Sequence, residues 1–212
     1  MVFSRPLIAR LSGLLLLGLW LTGCALLPPP GFEIVGENAR HSDRSFILSR
    51  NNRLSLYSML GQVERGRVGV FANPAYINGS WFLLVENNTS NSDDDADEKR
   101  FHGMVALTVE ADGSRFTVTP SDYDFLRDGM LQGQVSKQRG GRPIEAAELK
   151  RETATFQLTE SQFIDMINAE TLVVTVQGSS RSGTFGSDNQ ARNFQGNLYD
   201  FYQAVRADAG EG

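Results

Sequence analysis

The chain has 212 residues, 41% of them hydrophobic and 21% charged, with 20 basic and 25 acidic side chains, two histidines and one cysteine. That composition excludes a disordered chain, a collagen and a multi-pass membrane protein, and a single cysteine excludes an intrachain disulfide or a cysteine-rich metal site. The net charge of −5 argues against a protein that grips nucleic acid, which needs a basic face. In chain order, the first ten residues carry Arg5 and Arg10 and no acid, and Leu11 to Leu21 is an apolar run with seven leucines. Eleven helical residues span about 16 Å, half of a ~30 Å hydrocarbon core, which predicts a signal-peptide core and not a spanning helix.

The run ends at Leu21-Thr22-Gly23-Cys24. Leucine, two small residues and a cysteine in that order resemble the lipobox of bacterial lipoproteins. The resemblance covers residues 1–24 and no more of the chain. It implies a diacylglycerol thioether on Cys24, cleavage before it, and acylation of the new amino group, for instance by palmitate. Two or more acyl chains anchor stably where one does not, so the polypeptide would be held at a membrane without crossing it. Ala25 and Leu26 follow the cysteine. In the enterobacterial pattern an aspartate there retains a lipoprotein at the inner membrane, so the resemblance favours the outer membrane, with the domain facing the periplasm. Loss of residues 1–23 leaves 189 residues with 18 basic and 25 acidic side chains, a net charge of −7.

Pro28-Pro29-Pro30-Gly31 reads as a stiff spacer, and structure is expected only from about Arg44. This divides the chain into a signal peptide (1–23), a lipidated tether (24–43), one α+β domain (44–206) and a frayed tail (207–212). Twenty extended tether residues reach at most about 65 Å. Within the domain, Leu56, Met59, Leu60 and Val63 fall at helical spacing with Asn52 as an N-cap, although Leu54, Leu56, Tyr57 and Met59 also suit a strand. Trp81 to Val85 predicts a buried strand, and Asn87 to Arg100 a polar loop. Asp112-Gly113 between two strand-like runs, Met104 to Glu110 and Arg115 to Thr119, predicts a hairpin.

Thr119-Pro120 reads as a helix start with Gly129 at its end, followed by a strand over Leu131 to Lys137, a flexible Gly140-Gly141 and a short helix from Ile144 to Lys150. Thr153 to Leu158 alternates as a strand. Thr159 and Gln162 form a capping box for a helix whose apolar face is Phe163, Met166 and Ile167. Leu172 to Val176 is a further buried strand, and Phe194, Leu198, Phe201, Tyr202 and Val205 make the stripe of a closing amphipathic helix. Residues 116–121 also echo 156–161, as a short duplication or a shared capping chemistry would make them do. The expected fold is α+β, a mainly antiparallel sheet with short helices on one side and a C-terminal amphipathic helix.

The chemistry-bearing motifs favour bland readings. The acidic run Asp93 to Glu98 lacks the glycine and the twelfth-position glutamate of a calcium loop and reads as a solvated loop. His41 and His102 have no helical histidine partner, so no metal or cofactor is expected. Gly178 to Gly183 holds serines and glycines without a nucleophile elbow, and reads as a hairpin or mobile loop. Asp122, Asp124 and Asp128 suit a helix surface, Lys137, Arg139 and Arg142 a small basic loop, and Asn78-Gly79-Ser80 a turn. The expected function is therefore a non-enzymatic adaptor or binding domain at the outer membrane, with another envelope protein as partner. A small-molecule or glycan-binding lipoprotein is the alternative. A cell-wall or lipid hydrolase is the third, with carboxylates and His102 as its only nominees.

Overall fold

The computed structural model describes residues 31–37, 46–55, 68–90, 97–122 and 149–210. Nine strands and two helices lie among them. A five-stranded sheet has the order β1 (Glu33–Glu37), β2 (Phe46–Arg50), β3 (Gly69–Ile77), β4 (Ser80–Ser90), β7 (Leu149–Leu158). A four-stranded sheet has the order β6 (Ser114–Val118), β5 (Met104–Ala111), β8 (Leu172–Gly178), β9 (Ser182–Phe185). Every strand pair is antiparallel. Helix α1 (Glu160–Asn168) joins β7 to β8, and α2 (Phe194–Gly210) closes the chain. The fold is α+β, as the sequence predicts.

Local chemistry sets the turns. Asn78-Gly79 and Asp112-Gly113 both hold positive φ at both residues, 49° and 82° in the first and 49° and 85° in the second. That is the type I′ geometry that joins twisted strands with two residues, and it ties β3 to β4 and β5 to β6. The Gly178–Gly183 segment is also a hairpin, with the Gly178 N–H donating to the Arg181 carbonyl at 2.8 Å between β8 and β9. The capping box is present. The Gln162 N–H donates to Thr159 Oγ1 at 3.2 Å, and the Thr159 N–H to Gln162 Oε1 at 2.9 Å. At the other end of α1, Gln195 Nε2 of α2 donates to the carbonyls of Met166, Ile167 and Ala169 at 3.0, 3.3 and 2.7 Å. A side chain of the closing helix thus satisfies carbonyls that the α1 terminus leaves open.

One hydrophobic core joins both sheets and both helices. Trp81, Leu83 and Val85 of β4 meet Leu107 and Val109 of β5, Val174 and Val176 of β8, and Phe163, Phe194 and Phe201 of the helices. The alternate residues Phe82 and Leu84 form a second buried cluster with Leu48, Ala75 and Ile77 on the other face of the larger sheet. Burial on both faces is why Trp81 to Val85 reads as an unbroken apolar run.

Several expectations need correcting. Strand β1 lies inside the stretch expected to be an unstructured tether, and it pairs fully with β2 from Glu33↔Arg50 to Glu37↔Phe46. The prolines that prevent pairing stop at Pro30, so the chain is free to enter the sheet three residues later, at Glu33. Asn52 is no N-cap. It is buried, its N–H donates to Asn73 Oδ1 at 2.8 Å and its amide to the Ala72 carbonyl at 3.0 Å, and residues 53 and 55 form bridges. The expected polar loop begins too early, because β4 continues through Asn87, Asn88 and Thr89, all buried. Their polar atoms are satisfied across the strand by Glu152, Arg151 and the Lys150 carbonyl.

Pro120 does not open a helix. It bridges Phe156, and the Ser121 N–H donates to the Thr155 carbonyl at 2.7 Å. The two echoing segments therefore lie side by side. Leu149 and Lys150, expected in a helix, open β7 opposite Ser90 and Thr89. Helix α2 runs through Ala207 to Gly210, where fraying was expected, and alanine at this end supports the extra turn. The expected elements over 56–63, 123–148 and 211–212 lie outside the described residues.

Candidate functional site

A half-open cleft of about 310 Å³ lies where the β3–β4 hairpin, the β7–α1 junction and the end of α2 meet. That volume stands at the small end of the range for ligand pockets. Two aromatic side chains, Tyr76 and Trp81, border it. Tyr76 of β3 and Trp81 of β4 are directly paired across the hairpin, and their ring centres are 4.9 Å apart. Trp81 in turn stacks on Phe163 at 4.7 Å and Tyr202 at 5.5 Å, with planes 28° and 26° apart. The order Ile77-Asn78-Gly79-Ser80 makes this possible, because a two-residue turn sets Tyr76 opposite Trp81 on the core face.

Leu158 and Val205 supply the apolar part of the lining, and Ser80, Gln157 and Thr159 the uncharged polar part. Glu160 and Arg206 stand at the rim. Glu160 Oε1 accepts from the Tyr202 hydroxyl at 3.4 Å and lies 3.7 Å from an Arg206 guanidinium nitrogen. Both side chains are well exposed, at 46% and 62%, so the pair contributes little to stability and can exchange partners. A mostly polar cleft beside the Tyr76 ring, with one acceptor and one fork of donors at its edge, is suited to hold a small polar molecule.

A second polar centre surrounds Glu152 of β7. Its side chain is 8% exposed, and its carboxylate accepts from Asn87 Nδ2 at 3.0 Å and from the backbone N–H groups of Phe101, His102 and Gly103 at 2.9, 2.8 and 3.4 Å. His102 and Gly103 both hold positive φ, 53° and 92°, which turns successive N–H groups toward one anion. Burial pushes the Glu152 carboxyl up, but the Asn87 amide and the three N–H groups outweigh it and hold it below the usual carboxylate range. Glu152 is thus an ionised internal ligand for a loop, with its lone pairs already occupied.

Glu86 of β4 points to the opposite face, since it is paired with Thr153 while Asn87 is paired with Glu152. Burial raises its carboxyl, against Arg151 and the Asn73 amide, which lower it. Asn73 Nδ2 donates to Glu86 Oε1 at 2.7 Å, the Asn52 N–H to Asn73 Oδ1, and Asn197 Nδ2 of α2 to Asn52 Oδ1 at 3.0 Å. A chain of amides thereby links a buried carboxylate to the closing helix. Glu86 and Glu152 are neighbours in the ladder but lie on opposite faces, so they do not form a catalytic dyad.

Of the hydrolase nominees, His102 does stand beside a carboxylate. Its Nε2 lies 3.3 Å from the Asp97 carbonyl and 3.6 Å from Asp97 Oδ2. Both residues sit on an exposed turn, apart from the cleft, whose lining contains neither. Asp122 is exposed. Cys24, His41, Asp93 to Ala96, Asp124, Asp128, Lys137, Arg139 and Arg142 lie outside the described residues. Among the described residues no three metal-ligating side chains converge, and no helix is long and apolar enough to cross a membrane.

The sequence reading missed Glu152, Glu86 and the cleft. For Glu152 a signal was present, since His102-Gly103 repeats the X-Gly pattern of the two hairpin turns. Comparison with protein-family models, curated proteins and solved structures finds no match.

Proposed function

We propose that the protein is a lipid-anchored component of the bacterial cell envelope, held through Cys24 at the outer membrane, whose α+β domain acts as a non-enzymatic adaptor toward another envelope protein. The observation that carries this reading is the Leu21-Thr22-Gly23-Cys24 site followed, after only eight residues, by a strand built into the sheet at Glu33. Eight residues reach about 26 Å at full extension, in place of the 65 Å of a twenty-residue tether. Such a domain works close to its membrane, within reach of neighbours in the same layer. Cys24→Ala, or globomycin treatment of the wild type, tests the anchor. The expected result is loss of acyl label and release from the membrane fraction, and membrane retention without acyl label contradicts it.

The cleft supports a second reading, a lipoprotein that binds a small molecule or glycan. Its Tyr76 ring and its polar rim lie where the β3–β4 hairpin meets α1 and α2.

A further inference from the structure

We propose that the Trp81 cleft takes one ring of an uncharged saccharide and presents it on the side of the domain away from the lipid. The ligand class follows from the lining. A fatty acyl chain needs an enclosed apolar channel, whereas this cleft is half open and carries Glu160 and Arg206 at its edge. A phosphate or carboxylate would face the Glu160 carboxylate, and an ammonium group would face Arg206. A neutral ring with hydroxyls on its rim and C–H groups on its face fits all of these groups together. Its C–H face meets the partly exposed Tyr76 ring, its hydroxyls donate to Glu160 Oε1, and its oxygens accept from the Arg206 fork. Both charged groups are exposed and only loosely paired, at 3.7 Å, so a ligand replaces water and not a strong ion pair.

The direction follows from strand register. The chain enters the sheet at Glu33, opposite Arg50. At the other end of β1, Glu37 pairs with Phe46, Phe46 with Ile77, and Ile77 with Ser80, so the Asn78-Gly79 tip and its cleft lie at the end of the sheet away from the tether. The five residues of β1 put about 13 Å between the two ends. This direction rests on the lipid-anchor reading; the ligand chemistry does not.

Trp81 reports the occupancy. Trp20 is the other tryptophan of the chain and lies in the predicted signal peptide. The test uses the full chain as purified from membranes in detergent, with Trp emission followed on titration with oligosaccharides of glucose, galactose, mannose and N-acetylglucosamine, and with palmitate and inorganic phosphate in parallel. The expected result is a saturable change in emission with at least one oligosaccharide. Binding should weaken tenfold or more in Glu160→Gln and in Arg206→Ala. Arg115→Ala on β6 should leave it unchanged, and thermal melts of all three variants check the fold. No saccharide binding, equal binding in the cleft variants, or saturable binding of palmitate or phosphate alone overturns the proposal. Saccharide binding by a chain whose Cys24 proves unmodified upholds the ligand and removes only the direction.

Discussion

The Glu152 carboxylate accepts the His102 N–H at 2.8 Å, across fifty residues of sequence and between the two sheets. Strand β7 belongs to the five-stranded sheet, whereas the Phe101–Gly103 turn leads into β5 of the four-stranded one. One ionised side chain therefore organises the loop that joins them. Glu152→Ala leaves the buried Asn87 amide and the Phe101 N–H, with the exposed His102 and Gly103 N–H groups, without that acceptor and should lower unfolding free energy by about 1–3 kcal/mol. Denaturant melts measure this, and a loss indistinguishable from zero would mean that water replaces the carboxylate.

The same contact has a pH dependence of known sign. The folded-state pKa of Glu152 lies below its unfolded value, so its contribution is complete above that unfolded value of about 4.5 and is lost as pH falls through the folded one. Glu86 has the opposite sign, because burial raises its folded pKa, and its contribution fades as pH rises through that value. Glu86→Gln should therefore raise the melting temperature relative to wild type at pH 8, with the gain shrinking toward pH 4. A variant equally or less stable at pH 8 contradicts this account of the Asn73–Glu86 pair.

Helix α1 is capped at both ends by side chains. Thr159→Ala should cost about 1 kcal/mol through the loss of its half of the capping box. Gln195→Ala should cost a comparable amount, about 1–2 kcal/mol, by releasing the carbonyls of Met166, Ile167 and Ala169. Thermal or urea unfolding of the two single variants and of the double variant checks this. The caps are independent, so the two losses should add.

Gly178 cannot accept a side chain, since an added Cβ would collide with the backbone of Phe101. Gly178→Ala should destabilise by about 1–3 kcal/mol and disturb the turn that Glu152 holds. Amide exchange at Phe101 to Gly103 would rise with it, and unchanged protection there would show that the end of β8 and the turn are uncoupled.

What was legible in the sequence is local. Asp112-Gly113, the Thr159–Gln162 box and the α2 stripe each carry their chemistry within a few residues, and each is found in place. What was not legible depends on distant partners. Asn87 to Thr89 look like loop until β7 supplies Arg151 and Glu152, more than sixty residues away. Pro74 sits inside β3 because the β2–β3 ladder ends at Leu48↔Ala75 and Ser49 Oγ donates to the Pro74 carbonyl instead. The cleft was out of reach for the same reason, since Tyr76, Glu160 and Arg206 converge only after the hairpin and both helices have packed.

The most direct test of the central claim is the intact mass and N-terminal peptide of the protein extracted from bacterial membranes. The account predicts a chain that begins at Cys24 and carries a diacylglyceryl thioether and an amide-linked acyl group. A chain that retains residues 1–23, or one with an unmodified Cys24, would contradict it.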